Sequence, residues 1–308
     1  MKRETIPFTT EAAWLDLRLD DITSTMMPAL FGMSPYATKF ELYHAKASDL
    51  HLEFKSNERV DTGKWAEEYL ARAYREKTGI PIEPFKDYIR LTEHKIGSSF
   101  DYIATHERKL VEIKLVDQWI HKGWEDGELP AHIEIQAQHE MLVAGIDEID
   151  VFVVTGLYPD AWHIYPRKAD KEVQAAMLKA CAAFWADVEA KNEPEPDFNR
   201  DGEVIAALYK PEGELLDYTN KAAEFDRLSR EIKDATELEK NYKDAKTAAK
   251  NELFHLLGDS MGGFTDKYRI KAGRTKDTVG KEITAEMVGT VTGARKGYRR
   301  CDITELKG

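Results

Sequence analysis

Asp101, Glu112 and Lys114 are the residues of this chain whose types and spacing could do chemistry. They lie in residues 98–115, SSFDYIATHERKLVEIKL. The stretch reads as two short strands joined by a turn. Phe100, Tyr102 and Ile103 are β-formers, His106 to Lys109 is a polar break, and Leu110, Val111, Ile113 and Leu115 are apolar again. Glu112 and Lys114 are two apart, so on a strand both side chains point to one face. A hairpin can bring Asp101 opposite them. Carboxylates and an ammonium converging on one sheet face are costly unless they are paired or hold a metal. Oxygen donors of this kind suit a hard cation such as Mg²⁺ or Mn²⁺, and the lysine can orient a water or steady a phosphate. That is the chemistry of metal-assisted phosphodiester hydrolysis. The plainer reading is an exposed strand edge on which Glu and Lys form an ordinary cross-strand pair.

The elements that must position these residues read as follows. From Glu11 to Met33, Trp14, Leu15, Leu17 and Leu19 crowd an apolar segment that carries Arg18, and Asp21-Ile22-Thr23-Ser24-Thr25 follows as a hydroxyl-rich turn expected to cap a helix. A guanidinium beside Ser24 and Thr25 at a helix start makes a phosphate pocket; alternatively Arg18 pairs with Asp16 or Asp20. Residues 61–78 predict an amphipathic helix with Trp65, Tyr69, Leu70, Ala73 and Tyr74 on its apolar face. Glu67 and Glu68 lie early on it. Residues 82–91 read as a strand leading to the hairpin. A helix over residues 131–144 carries His132, Gln136, His139 and Glu140 at three- and four-residue spacing, so one face is polar. Gln136 could face a cleft and hold a water or phosphate, or the face could be solvated. Residues 150–158 predict a buried strand with a short partner at 162–165. A long helix over 168–191 turns Val173, Met177, Cys181, Phe184 and Trp185 inward.

These elements give an α/β unit over residues 1–191. Residues 192–214 begin Asn-Glu-Pro-Glu-Pro-Asp and read as a linker. Residues 215–308 open on a charged amphipathic helix or helix pair of coiled-coil character and end in a small β element; oligomerisation or partner docking is the role expected of them. The chain has 308 residues, 42% hydrophobic and 32% charged, an ordinary globular composition. A net charge of −12 argues against coating DNA by bulk electrostatics but leaves room for a nuclease with few, local contacts. No apolar run approaches the ~18 residues that span a bilayer. The start MKRETIPFTTEAAW lacks the apolar core of a signal peptide, so a cytoplasmic location is expected. Cys181 and Cys301 have no metal-ligand spacing and are expected to be reduced and structural.

Together these segments resemble the YqaJ-type viral recombinase and phage lambda exonuclease family, within the restriction-endonuclease-like PD-(D/E)xK superfamily. Trp14-Leu15-x-Leu17-Arg18 with Ile22-Thr23-Ser24-Thr25, Leu30-Phe31-Gly32-Met33-Ser34-Pro35-Tyr36, Gly63-Lys64-x-x-Glu67, Asp101 with Glu112-Ile113-Lys114, Gln136-Ala137-Gln138 and Phe184-Trp185 match the family's motifs in order. The family usually has Pro before the first Asp and Gly after it; here Phe100 and Tyr102 flank Asp101. The resemblance implies a restriction-endonuclease-like core, a central mixed sheet flanked by helices. It implies an exodeoxyribonuclease that degrades one strand of linear double-stranded DNA in the 5′→3′ direction, leaving 3′ single-stranded tails for recombination by strand annealing. Asp101, Glu112 and the Ile113 carbonyl would hold Mg²⁺ (or Mn²⁺), and Glu67 would reach a second ion. Lys114 would position and help deprotonate the attacking water with Gln136, while Arg18 with Thr25 or Ser24 would grip the terminal 5′ phosphate. Implied partners are a single-strand annealing protein and further copies of the chain, with a trimeric ring favoured. Another nuclease on the same fold, endonuclease or single-strand exonuclease, and a non-catalytic DNA-binding or assembly protein are the alternatives.

Overall fold

A computed structural model of the chain describes residues 1–47, 58–124, 128–209, 217–275 and 302–305. The chain divides into two compact units, Met1–Pro211 and Glu212–Gly308. In the first unit the elements run β1 (Glu4–Pro7), α1 (Glu11–Leu19), α2 (Met27–Leu30), α3 (Lys39–Ala47), α4 (Glu58–Thr78), β2 (Glu83–Pro84), β3 (Asp87–Leu91), β4 (Ile96–Ser98), β5 (Tyr102–Ala104), β6 (Lys109–Leu115) and α5 (Gln118–Lys122). They continue through α6 (Ala131–Ala144), β7 (Glu148–Val154), β8 (Trp162–Lys168), α7 (Lys171–Ala190) and α8 (Gly202–Leu208).

The central sheet has five strands in the order β2-β5-β6-β7-β8, and only β6 and β7 run parallel. A parallel neighbour needs a crossover, and the chain between β6 and β7 carries α6 over the sheet. A second sheet, β1-β3-β4, is antiparallel. The expected strand over residues 82–91 is therefore split, β2 joining the central sheet and β3 the small one. Pleat alternation divides the packing. Val111, Phe152 and Val154 lie with Leu70, Ala71, Ala73 and Tyr74 of α4, whereas Leu110, Ile149, Val151 and Val153 lie with Ile133, Met141, Met177 and Phe184 of α6 and α7. The result is a mixed sheet between helical layers, the α/β architecture expected from the sequence.

Local chemistry explains the helix ends. Thr10 caps α1 by accepting from the Ala13 N–H, and Asp170 caps α7 by accepting from Glu172 and Val173 N–H. α6 stops at Gly145, whose φ of 70° is easy only for glycine. Arg3 donates there to the Leu142 and Val143 carbonyls, so the start of the chain clamps the end of α6.

Some expectations are corrected. Trp65 and Tyr69 do not join the apolar face of α4; they are 81% and 46% exposed, and Leu70, Ala71, Ala73 and Tyr74 do the packing. The turn hydroxyls do not cap α2, whose N-cap is Met26 without a side-chain bond. The expected linker at 192–214 is docked over much of its length. Thr38 donates to Asp201 at 2.6 Å, Arg200 donates to the Ser34 carbonyl at 2.8 Å, and Val204 of α8 is buried; residues 210–216 lie outside the described residues. Cys181 is a free, buried thiol, and Cys301 is not among the described residues.

In the second unit a single helix, α9 (Ala222–Leu257), spans 36 residues, about 54 Å at ~1.5 Å per residue. Three antiparallel strands, β9 (Gly262–Phe264), β10 (Tyr268–Lys271) and β11 (Asp302–Glu305), accompany it. Phe225, Leu228, Ile232, Leu238 and Tyr242 on α9 are exposed. Among the described residues no helix is long and apolar enough to cross a membrane.

Candidate active site

Asp101 sits at the entry to β5, and Tyr102 pairs with Val111 on β6. The side chain is thus beside Glu112 and reaches back to its strand: Asp101 Oδ2 accepts from the Ile113 N–H at 2.9 Å. Glu112 is 5% exposed and accepts at one oxygen, Oε1, from Lys114 Nζ at 2.6 Å and from Gln136 Nε2 at 2.7 Å. The predicted trio and the helical glutamine are therefore brought together, and the exposed-edge reading of the Glu–Lys pair falls away. The polar face of α6 is not solvated either, since Gln136, His139 and Glu140 are all buried.

Glu140 is the residue that sequence reasoning underused. It is 1% exposed, Oε1 accepts from Gln136 Nε2 at 2.9 Å, and Oε2 has no hydrogen-bond partner. Its signal was the four-residue spacing from Gln136, which fixes the shared face but not what covers it. Glu67 reaches the same neighbourhood from α4, half-buried and hydrogen-bonded with Tyr102.

The electrostatics show a surplus of negative charge. Burial, then the charge of Glu112, holds the Asp101 and Glu140 carboxyls well above the usual range and raises Glu67 as well. Burial alone would lower the Lys114 ammonium, but Glu112 and Asp101 outweigh it and hold Lys114 above its ordinary value. Lys114 in this form is a fixed donor. A donor of this kind can orient a water or a phosphate oxygen. Carboxylate oxygens in surplus over cations, one of them buried without a donor, make a set that fits a hard divalent cation. Among the described residues no three His, Cys, Asp or Glu groups already converge closely enough to form a metal cage.

A second group lies where α1 meets the turn before α2. Arg18 Nη2 donates to Thr25 Oγ1 at 3.1 Å, and its guanidinium lies 4.4 Å from the Trp14 ring centre. Ser24 is turned away, buried, and accepts from Ser98 Oγ at 3.2 Å. Arg18 forms no ion pair with Asp16 or Asp20; Asp20 and Asp21 are taken by Arg90. Lys46 donates to the Arg18 and Leu19 carbonyls at 2.6 and 2.9 Å, and burial followed by the Arg18 charge brings it down to about 8. Lys46 carried no sequence signal, because only the packing of α3 brings it to α1. Trp14 Nε1 donates to Ser99 Oγ at 3.0 Å, linking this group to the segment that carries Asp101.

Residues 13–147 match the YqaJ-like viral recombinase domain. The match takes in Arg18, Thr25, Glu67, Asp101, Glu112, Lys114, Gln136 and Glu140. The chain is similar to the YqaJ protein of Bacillus subtilis (strain 168), 24% identical over 263 residues, covering 83% of this chain and 81% of that protein. Among solved structures it is similar to an alkaline exonuclease (LHK-Exo) from Laribacter hongkongensis, with a TM-score of 0.51 and 20% identity over 64% of this chain and 100% of that one. At that identity the likeness speaks for a shared fold.

Proposed function

We propose that this YqaJ-like chain is a metal-dependent exodeoxyribonuclease that degrades one strand of linear double-stranded DNA from its 5′ end, leaving 3′ single-stranded tails for recombination by annealing. The observation that carries the reading is the convergence of Asp101, Glu112 and Lys114 with Gln136 and Glu140 behind them. Asp101, Glu112 and the Ile113 carbonyl would hold a divalent cation, Mg²⁺ or Mn²⁺, and Glu67 would serve a second. Such ions supply Lewis acidity toward the phosphodiester and lower the pKa of water. The protein groups do the rest. Lys114 donates to the attacking water or a non-bridging oxygen, and Gln136 fixes Glu112 so that its free oxygen keeps one direction. Arg18 and Thr25, with the Lys46 charge alongside, bind the terminal 5′ phosphate and so set the polarity. Ser24, hydrogen-bonded to Ser98, supports the turn instead of touching the phosphate. The exposed apolar residues of α9 serve self-association, a trimeric ring being favoured, or docking of an annealing protein.

The decisive experiment uses linear duplex DNA labelled at either end, with Mg²⁺, and the Lys114→Ala variant. Early release of the 5′ label as mononucleotide, lost in the variant while DNA binding persists, is the expected result. Release from the 3′ end, or cutting of closed circular duplex, would replace this reading with another nuclease. No metal-dependent release at all would leave only a binding or assembly role.

A further inference from the structure

The sheet face that carries Glu112 and Lys114 continues, two strands away, into a group of rings that hydrolysis does not use. Register fixes the neighbourhood. Glu112 pairs with Val151 and Val151 with Tyr165; Lys114 pairs with Val153 and Val153 with His163. Laterally paired residues point to the same side, so His163 and Tyr165 share the face of Lys114 and Glu112. Two strand spacings of ~4.8 Å separate them, about 10 Å in all. α5, entered just after β6, lays further rings over this spot. His121 and His163 stack at 4.2 Å between centroids and 25° between planes, and His121 Nε2 is 2.8 Å from the Tyr165 hydroxyl. The Trp124 ring is 4.9 Å from His121 and 5.9 Å from Tyr165. The Arg167 guanidinium lies 6.0 Å from the Tyr165 ring centre, whereas Trp119, two residues before His121, is turned to another side of α5 and is 76% exposed.

A group that served only to fasten α5 to β8 would bury its rings. Here His121, Trp124, His163 and Tyr165 all stay partly open, and Trp119 and Ile120 stand in solvent. Burial, then the facing His121, pushes His163 below its ordinary value, so its ring is neutral at neutral pH. Neutral aromatic faces interleaved with cations are what single-stranded nucleic acid stacks upon. With a net charge of −12 the chain gains little from bulk attraction to DNA, so base stacking is the term left to hold a strand.

We propose that His121, Trp124, His163 and Tyr165 form a stacking platform for the bases of a single DNA strand whose backbone lies at Asp101, Glu112 and Lys114. This rests on the nuclease reading and adds a subsite to it. A separation of about 10 Å is roughly three nucleotide steps at ~3.4 Å each, so the platform holds bases beside the scissile nucleotide and not the scissile base itself.

The test uses the full chain in EDTA, which prevents cleavage, and the fluorescence anisotropy of a labelled short oligothymidylate against the same backbone carrying abasic sites. Wild type should prefer the base-bearing strand by about tenfold or more, and Trp124→Ala and Tyr165→Leu should each weaken that binding by about tenfold while leaving the abasic strand unchanged. Trp124→Phe, which restores a ring, should recover most of the loss, and unchanged melting of each variant excludes misfolding. Equal affinity for both strands, or variants that bind as wild type does, would overturn the platform and leave the rings as a fastening for α5. Cleavage of linear duplex by the wild type in Mg²⁺ is scored separately. A protein that cleaves but shows no base preference loses the platform alone, and one that never cleaves but keeps the preference retains the platform and loses the nuclease reading.

Discussion

Gln136→Met is the perturbation whose cost follows most directly from the site. One amide nitrogen donates to Glu112 Oε1 at 2.7 Å and to Glu140 Oε1 at 2.9 Å. Methionine keeps the length and removes both donors. A hydrogen bond to a charged group contributes ~1.5–3 kcal/mol net, and a buried acceptor left unpaired loses its share in full. Glu140 is 1% exposed and its other oxygen already lacks a donor, so it has no water to turn to. Glu112 still keeps Lys114. Full loss at one carboxylate and partial loss at the other come to about 3 kcal/mol. All six tryptophans lie in the first unit, so their fluorescence follows that unit alone in urea. At a slope of ~3 kcal/mol per molar the midpoint should fall by about 1 M. Adding Glu140→Met removes the stranded acceptor and should recover part of that, leaving a coupling of about 1 kcal/mol between the two sites. Turnover should fall about 100-fold, as expected when a positioning group is lost. A midpoint within about 0.2 M of wild type would mean that solvent reaches both carboxylates, and the enclosed cluster described above would be wrong.

Three further outcomes are expected. Because Asp101 and Glu140 are held above their ordinary values, metal-free stability is complete below the unfolded carboxylate range and falls as pH rises through the raised values. The stabilisation that Mg²⁺ provides should therefore grow with pH in thermal melts, and an increment independent of pH would count against a carboxylate site. Asp21→Ala removes the acceptor of Arg90 Nε at 2.7 Å and of the Tyr88 hydroxyl at 3.0 Å, and should cost about 3–5 kcal/mol in urea unfolding; a loss near zero would show that Arg90 is satisfied elsewhere. Gly97→Ala would drive a Cβ into the Tyr88 hydroxyl and ring, and Tyr88 is fully buried. It should lower stability by about 1–3 kcal/mol or more, and an unchanged melting temperature would mean that β3 and β4 give way easily.

What was legible in the sequence was chemistry at short range. Glu112 and Lys114 declare their shared face through strand alternation, and Met177, Cys181 and Phe184 declare theirs through helical period. Gln136 and Glu140 declare a common face but not whether it looks at water or at Glu112, because that depends on the crossover that seats α6. Trp65 and Tyr69 depart from the expected face for a related reason: a helix at the surface can carry rings on its outer side, and period alone does not say which stripe packs. Lys46, Asp21 with Arg90, and the docking of Asp201 on Thr38 join segments far apart in the chain and leave no local trace. The hydroxyls of Ser24 and Thr25 read alike in the sequence, but the fold turns one inward to Ser98 and leaves the other with Arg18.

The parallel pairing of β6 with β7 bears on the order in which the molecule is made. Asp101, Glu112 and Lys114 come from neighbouring strands that can pair as soon as both have left the ribosome. Gln136 and Glu140 join them only when the crossover closes, and loops of that separation are entropically slow to shut. A nascent chain therefore carries its acidic hairpin without the amide that directs Glu112 and without the parallel strand that backs it. The cluster of Asp101, Glu112, Lys114, Gln136 and Glu140 is therefore complete only after β7 has found its place.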